Sequence, residues 1–279
     1  MPNEKFLTPE EKWEKATLAN NFIFYKVMRN HPDVCQHLIE MLLKVKIKSM
    51  EIRNEEILDI DHDAKGVRLD VFVKDDSRLY DIELQIVNTK EIPERARYYQ
   101  GLMDLDTLKS GQKYKDLKDS HVIFICLEDI FKRGLPVCTF ENICLEDGKT
   151  KLNDRTYKHF FFAPLCAKII RDEEVKKFFE FLISNSVESD YTLKLDEYVK
   201  DAKHNMQWRH EYMTYERIQA YAFDEGKEQG LLQGAQQKAV ENAVNFLKMN
   251  VLSDTQIAEG TGLPLEQVLE LKSKLTVNA

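Results

Sequence analysis

The chain has 279 residues, 43% hydrophobic and 32% charged, enough apolar material for one large domain or for one domain with an appendage. No run of about 18 apolar residues occurs, which argues against a membrane-spanning helix, and the charged start MPNEKFLTPEEKWEKA lacks the apolar core of a signal peptide. The formal net charge of −8 argues against a protein that coats nucleic acid through a general basic surface, because such binding depends on Lys and Arg neutralising phosphates; a local basic cleft or a bound cation escapes that argument.

Thr8-Pro9-Glu10-Glu11 reads as a helix start: a cap, a proline in the first helical position and acids in the first turn. That helix is expected to run to Asn30, where His31-Pro32 interrupts it. A second helix follows, with Val34, Leu38, Met41 and Val45 spaced as a core-facing stripe. Glu40 lies off the stripe and is the acid nearest in sequence to a possible site. Lys46 to Ile52 reads as a first strand. The polar connector 53–65 holds Asp59, Asp61, His62 and Asp63, which lack the glycine and terminal glutamate of a calcium loop.

Gly66 to Ile86, GVRLDVFVKDDSRLYDIELQI, is the centre of the chain. Val67, Leu69, Val71 and Val73 alternate with Arg68, Asp70, Phe72 and Lys74, and Tyr80, Ile82, Leu84 and Ile86 alternate with Leu79, Asp81, Glu83 and Gln85. Period-two alternation of this kind predicts two half-buried strands around a turn at Asp75, Asp76 and Ser77. Symmetric closure about Asp76 and Ser77 sets Lys74 opposite Leu79 and Asp70 opposite Glu83. Opposed Cβ atoms lie about 4.5–5.5 Å apart, so two facing carboxylates repel unless a divalent cation turns repulsion into ligation. The alternative is an ordinary solvated face of a soluble sheet.

Glu91 to Lys109 reads as a helix with Ile92, Ala96, Tyr99 and Met103 as its buried stripe. Arg95 and Tyr98 sit on one flank and Arg97 on another, placed either to touch phosphates or to stay on the surface. HVIFICL, from His121, reads as a fully buried strand. The order of helix, three strands, helix and strand implies an α/β sandwich with a mixed sheet. Val137 to Cys144 and His159 to Ala163 extend that sheet or form a flanking hairpin. Cys35, Cys126, Cys138, Cys144 and Cys166 are odd in number and show no CxxC spacing, so buried free thiols in a reducing cytoplasm are expected.

From Asp172 the chain reads as helical. Gly226, Gly230 and Gly234 recur every fourth residue, as a close-packing face or a mobile linker. From Ala235 to Leu275 a cap at Ser253 and the stretch IAEGTGLPLEQVLEL resemble a helix-turn-helix. Its second helix carries Glu266 and Glu270 with only the late lysines Lys272 and Lys274, which favours an interaction or dimerisation module over DNA reading.

Asp70 followed by Glu83-Leu84-Gln85 resembles the PD-(D/E)xK nuclease superfamily. More specifically, NNFIFYKVM, GVRLDVFVKD, YDIELQ, RARYYQGLMDLDTL, VIFICLEDIF, VCTFENIC and EYMTYE, in order from residue 20 to about residue 216, resemble the Rpn family of recombination-promoting nucleases. The resemblance implies a restriction-endonuclease-like core over 1–170, a helical extension and linker over 171–234 and a small helical tail over 235–279. It implies a metal-dependent DNA endonuclease using Mg²⁺ or Mn²⁺, with DNA as partner and a homodimer suited to two-strand cleavage. By position, Asp70 and Glu83 would ligate the cation, Glu83 would face the attacking water, and Glu40 would approximate a helix-borne acid. Gln85 stands where the superfamily has lysine and brings no charge. Leu69 stands in place of the proline, and Asn20 and Asn21 in place of an acid common among Rpn relatives. The alternative is a catalytically impaired nuclease fold serving as a DNA- or protein-binding scaffold through its tail.

Overall fold

The computed structural model describes residues 7–53, 70–87 and 89–277. The chain divides into two compact units, Met1–Tyr212 and Met213–Ala279. The connector residues Asp59, Asp61, His62 and Asp63, and the strand residues Val67 and Leu69, lie outside the described residues.

The expected first helix is two helices. α1 (Pro9–Lys15) begins at Thr8, whose hydroxyl accepts from the Glu11 amide while Glu11 reaches back to the Thr8 amide. α2 (Asn21–Asn30) begins at Asn20, whose Oδ1 accepts from the amides of Phe22 at 3.0 Å and Ile23 at 3.3 Å. An asparagine that satisfies two orphan amides starts a new helix rather than continuing an old one. The break lets Trp13 and Leu18 reach full burial. α3 (Pro32–Leu43) follows His31 and ends on Lys44 in the left-handed region, φ 56°, so Val45 of the expected stripe lies beyond the helix.

Six strands follow: β1 (Glu51–Arg53), β2 (Val71–Lys74), β3 (Arg78–Gln85), β4 (Asp119–Cys126), β5 (Val137–Phe140) and β6 (Thr156–Phe162). β1 starts later than expected. Ile47, which the expected strand included, is buried ahead of it. The sheet order is β1-β2-β3-β4-β6-β5. β1, β2 and β3 pair antiparallel, β3 to β4 and β4 to β6 parallel, and β5 antiparallel to β6, so both late apolar runs extend the sheet. Lys74 does pair with Leu79. Asp75 fixes that turn: its Oδ1 accepts from the amides of Ser77 at 2.7 Å and Arg78 at 2.6 Å.

α4 (Ile92–Thr107) carries the chain from β3 to β4 by a crossover. Its Ile92, Ala96, Tyr99, Leu102 and Met103 pack on Phe72, Leu79, Val122, Phe124 and Phe160. The hairpin face that alternation alone leaves open to solvent is therefore roofed by α4. The opposite face, with Val71, Val73, Tyr80, Ile82, Leu84, Ile123 and Ile125, is also buried. There Phe161 stacks on Phe179 of α6 (Glu173–Ser184), with α5 (Ala163–Ile169) between the two in sequence. Burial on both faces explains why residues 122–126 of β4 are an unbroken apolar run. α7 (Asp190–His204) lays Tyr198 on His31 with ring centroids 3.5 Å apart.

On the face away from α4, His121 stacks between Tyr80 and Tyr157. Its Nδ1 lies 3.1 Å from His159 Nε2, and His159 Nδ1 lies 3.1 Å from Thr139 Oγ1. Neutral rings suit this relay: Nδ1–H of each imidazole donates onward, and His121 Nε2 keeps a lone pair. Burial lowers His121 to about 3 and His159 to about 4. Both folded values lie below the unfolded value of about 6.5, so their contribution is complete above pH 6.5 and is lost as pH falls toward 4 and then 3. Each group changes stability by up to about 1.4 kcal/mol per pH unit in that window. Urea unfolding between pH 7 and 4 is expected to show a steep loss that the His121→Phe/His159→Gln double variant flattens. Equal slopes for the two proteins would refute the neutral pair.

The second unit takes up most of α8 (Met206–Met249), in which Gly226, Gly230 and Gly234 are exposed helical residues. α9 (Asp254–Thr261) starts at a capping box between Ser253 and Gln256, and Gly262 turns the chain at φ 74° into α10 (Leu265–Val277). Ala243, Ile257, Leu263 and Val268 form its small core. Lys272 is paired with Asp254 and Lys274 with Glu270.

Candidate active site

Extending the β2–β3 register one step beyond Val71 and Ile82 sets Asp70 against Glu83. The Asp70 amide donates to Glu83 Oε1 at 3.0 Å. From α2, Arg29 Nε donates to the Asp70 carbonyl at 3.0 Å, which ties the start of β2 to the helix layer. The Glu83 side chain is 3% exposed, and its Oε2 accepts from Arg95 Nη2 at 3.0 Å.

Arg95 stands on the first turns of α4 and gathers the site. Nη1 donates to Gln85 Oε1 at 2.7 Å, and Nε and Nη2 donate to the Tyr99 hydroxyl at 3.0 and 2.8 Å. Its guanidinium lies over the rings of Tyr99 and Phe124. Gln85 donates its own amide to the Val87 carbonyl. The charge that glutamine lacks is thus present on its neighbour.

Asp81 pairs across the hairpin with Phe72 and shares a face with Glu83, two residues along β3. It is fully buried, and neither carboxylate oxygen has a hydrogen-bond partner. Burial pushes the Asp81 carboxyl well above the usual carboxylate range, and the charge of Asp70 adds to this while Arg95 opposes it. Glu83 is raised for the same first reason, then by Asp70 and Asp81, against the Asp70 amide and Arg95. Burial works to lower Arg95 but is outweighed by Tyr99, Glu83 and Asp70, so its pKa rises.

Carboxylate oxygens are the donors that hard divalent cations take. Asp70, Asp81 and Glu83, with the buried and unpartnered oxygens of Asp81 among them, are donors of the chemical type that Mg²⁺ or Mn²⁺ takes. With Glu83 held by Arg95 and by the Asp70 amide, no ready-made group of three His, Cys, Asp or Glu ligands is present among the described residues.

Of the residues singled out in the sequence, Asp70, Glu83, Gln85 and Arg95 come together. Arg97 and Tyr98 lie exposed on α4. Glu40 is bound locally: it accepts from the Ile47 amide at 2.8 Å, from Gln36 at 3.2 Å and from Lys46 at 3.3 Å, and the Ile47 bond leads in holding its carboxyl low. It anchors the loop after α3. Asp81 and Tyr99 belong to the cluster although sequence reading did not select them. Asp81 shares the parity of Glu83, which was a usable signal. Tyr99 read as core, and its hydroxyl gave none.

No curated protein and no solved structure matches this chain. The model of the PD-(D/E)XK nuclease family transposases matches residues 19–228, well over half of the chain and all of the hairpin and α4 site, and the chain belongs to that family.

Proposed function

We propose that the protein is a metal-dependent DNA endonuclease that hydrolyses phosphodiester bonds, with Asp70 and Glu83 holding Mg²⁺ or Mn²⁺. The observation that carries this reading is the pairing of Asp70 with Glu83, closed by the 3.0 Å bond from the Asp70 amide, inside a chain of a nuclease family. A cation bound there would supply a water of lowered pKa and polarise a phosphoryl oxygen. Glu83 orients the attacking water from a dry wall of the site. Gln85 holds Arg95 in position, and the partly exposed guanidinium adds positive charge and one remaining N–H on the side from which the phosphate arrives. On this reading the protein acts in the cytoplasm, and cleavage of both strands would favour a homodimer, which sets one such site on each strand.

Supercoiled plasmid incubated with the full chain separates this from the scaffold reading. Nicked product with Mg²⁺ or Mn²⁺ and none with EDTA is the expected result. A folded protein that cleaves under no metal would overturn it in favour of a scaffold.

A further inference from the structure

We infer that Asp81 is a third carboxylate ligand of the divalent cation, beside Asp70 and Glu83, an assignment that rests on the nuclease reading above. Among the described residues, the only buried side-chain atoms without a hydrogen-bond partner are the two Asp81 oxygens and His121 Nε2. Other acids of this chain collect donors even at the surface: Asp172 accepts from two amides and Lys44, and Asp147 from two amides and Thr150. A buried acceptor left without a donor costs about 1–3 kcal/mol, and more when charged. Such a cost in the middle of β3 calls for a partner that is not a protein donor.

Position points to the cation. Residues two apart on a strand lie roughly 6.6–7 Å from each other on one face, which sets Asp81 beside Glu83, and Asp70 is the diagonal neighbour across the pair. The fourth corner of this patch is Phe72, which offers no polar atom.

The test is thermal melting of the full chain during a Mn²⁺ titration, with Mn²⁺ binding read directly by electron paramagnetic resonance. The wild type is expected to gain melting temperature with Mn²⁺, and Asp70→Asn to lose that gain. Asp81→Asn and Asp81→Ala are expected to need at least about tenfold more Mn²⁺ for the same gain. In EDTA neither should melt below the wild type by more than a small margin, because the carboxyl that is replaced makes no hydrogen bond in the fold. If both Asp81 variants follow the wild-type titration while Asp70→Asn does not, Asp81 is no ligand and the Asp70–Glu83 reading stands alone. If the wild type neither shifts nor binds Mn²⁺, both fall together.

Discussion

Asp70→Asn and Glu83→Gln are each expected to reduce plasmid cleavage by at least about 10³-fold while leaving a folded protein. Metal-borne charge stabilisation is worth several kcal/mol in the transition state, and each 1.36 kcal/mol is a factor of ten. The fold should survive because two bonds that tie Asp70 into the site are made by its backbone: the amide donates to Glu83 and the carbonyl accepts from Arg29. Asparagine keeps both. At Glu83 the substituted amide keeps one acceptor oxygen, enough for the Asp70 amide or for Arg95 but not for both, and loss of the charge removes repulsion from Asp70 and Asp81, which offsets the bond given up. Nicking rates with Mg²⁺ and Mn²⁺, beside circular-dichroism melts of the same preparations, check both halves. Retained cleavage by folded Asp70→Asn would remove Asp70 from the mechanism.

The hairpin was legible because its information is local. Alternation fixes which side chains share a face, and Asp75 at the turn fixes the register, so the meeting of Asp70 and Glu83 followed from residues within a single hairpin. The cover over that face was not legible from the hairpin. It comes from α4, whose return to the sheet is a crossover that places Arg95 against Glu83 and Gln85 across ten and more residues. Period-two alternation with a polar partner face normally means solvent on one side. Here the polar residues Asp81 and Glu83 are buried instead, which is where a local rule gives way to the needs of a site. Asn20 is the same lesson on a smaller scale. The apolar pattern of residues 8–30 suits one helix, yet one side-chain oxygen accepting two amides is enough to divide it. Glu40 shows the converse, an acid near the site in sequence whose loop bonds give it a local task.

Arg95→Met is expected to destabilise the fold by about 3 kcal/mol near pH 8, because removing one partner of a buried pair leaves the other charge uncompensated. The figure sits at the low end of the usual range for two reasons. The Arg95 side chain is 31% exposed, so water already screens it in part. Glu83 can also escape its lost partner by taking a proton, since burial and its acidic neighbours hold its pKa up. That escape gives the effect a sign in pH. A carboxyl whose folded pKa lies above its unfolded value of about 4.3 binds more protons when folded, so stability falls as pH rises through that interval. Without Arg95 the folded value moves higher and the interval widens, so the deficit of Arg95→Met should be small near pH 4 and full near pH 8. The double variant Arg95→Met/Glu83→Gln should recover most of it, because no charge is then left to strand. Urea unfolding of the four proteins of this cycle at both pH values measures each quantity. A deficit that is flat in pH and unrepaired by Glu83→Gln would mean that Arg95 acts through its packing on Tyr99 and Phe124, and that the charge of Glu83 is balanced by something other than α4.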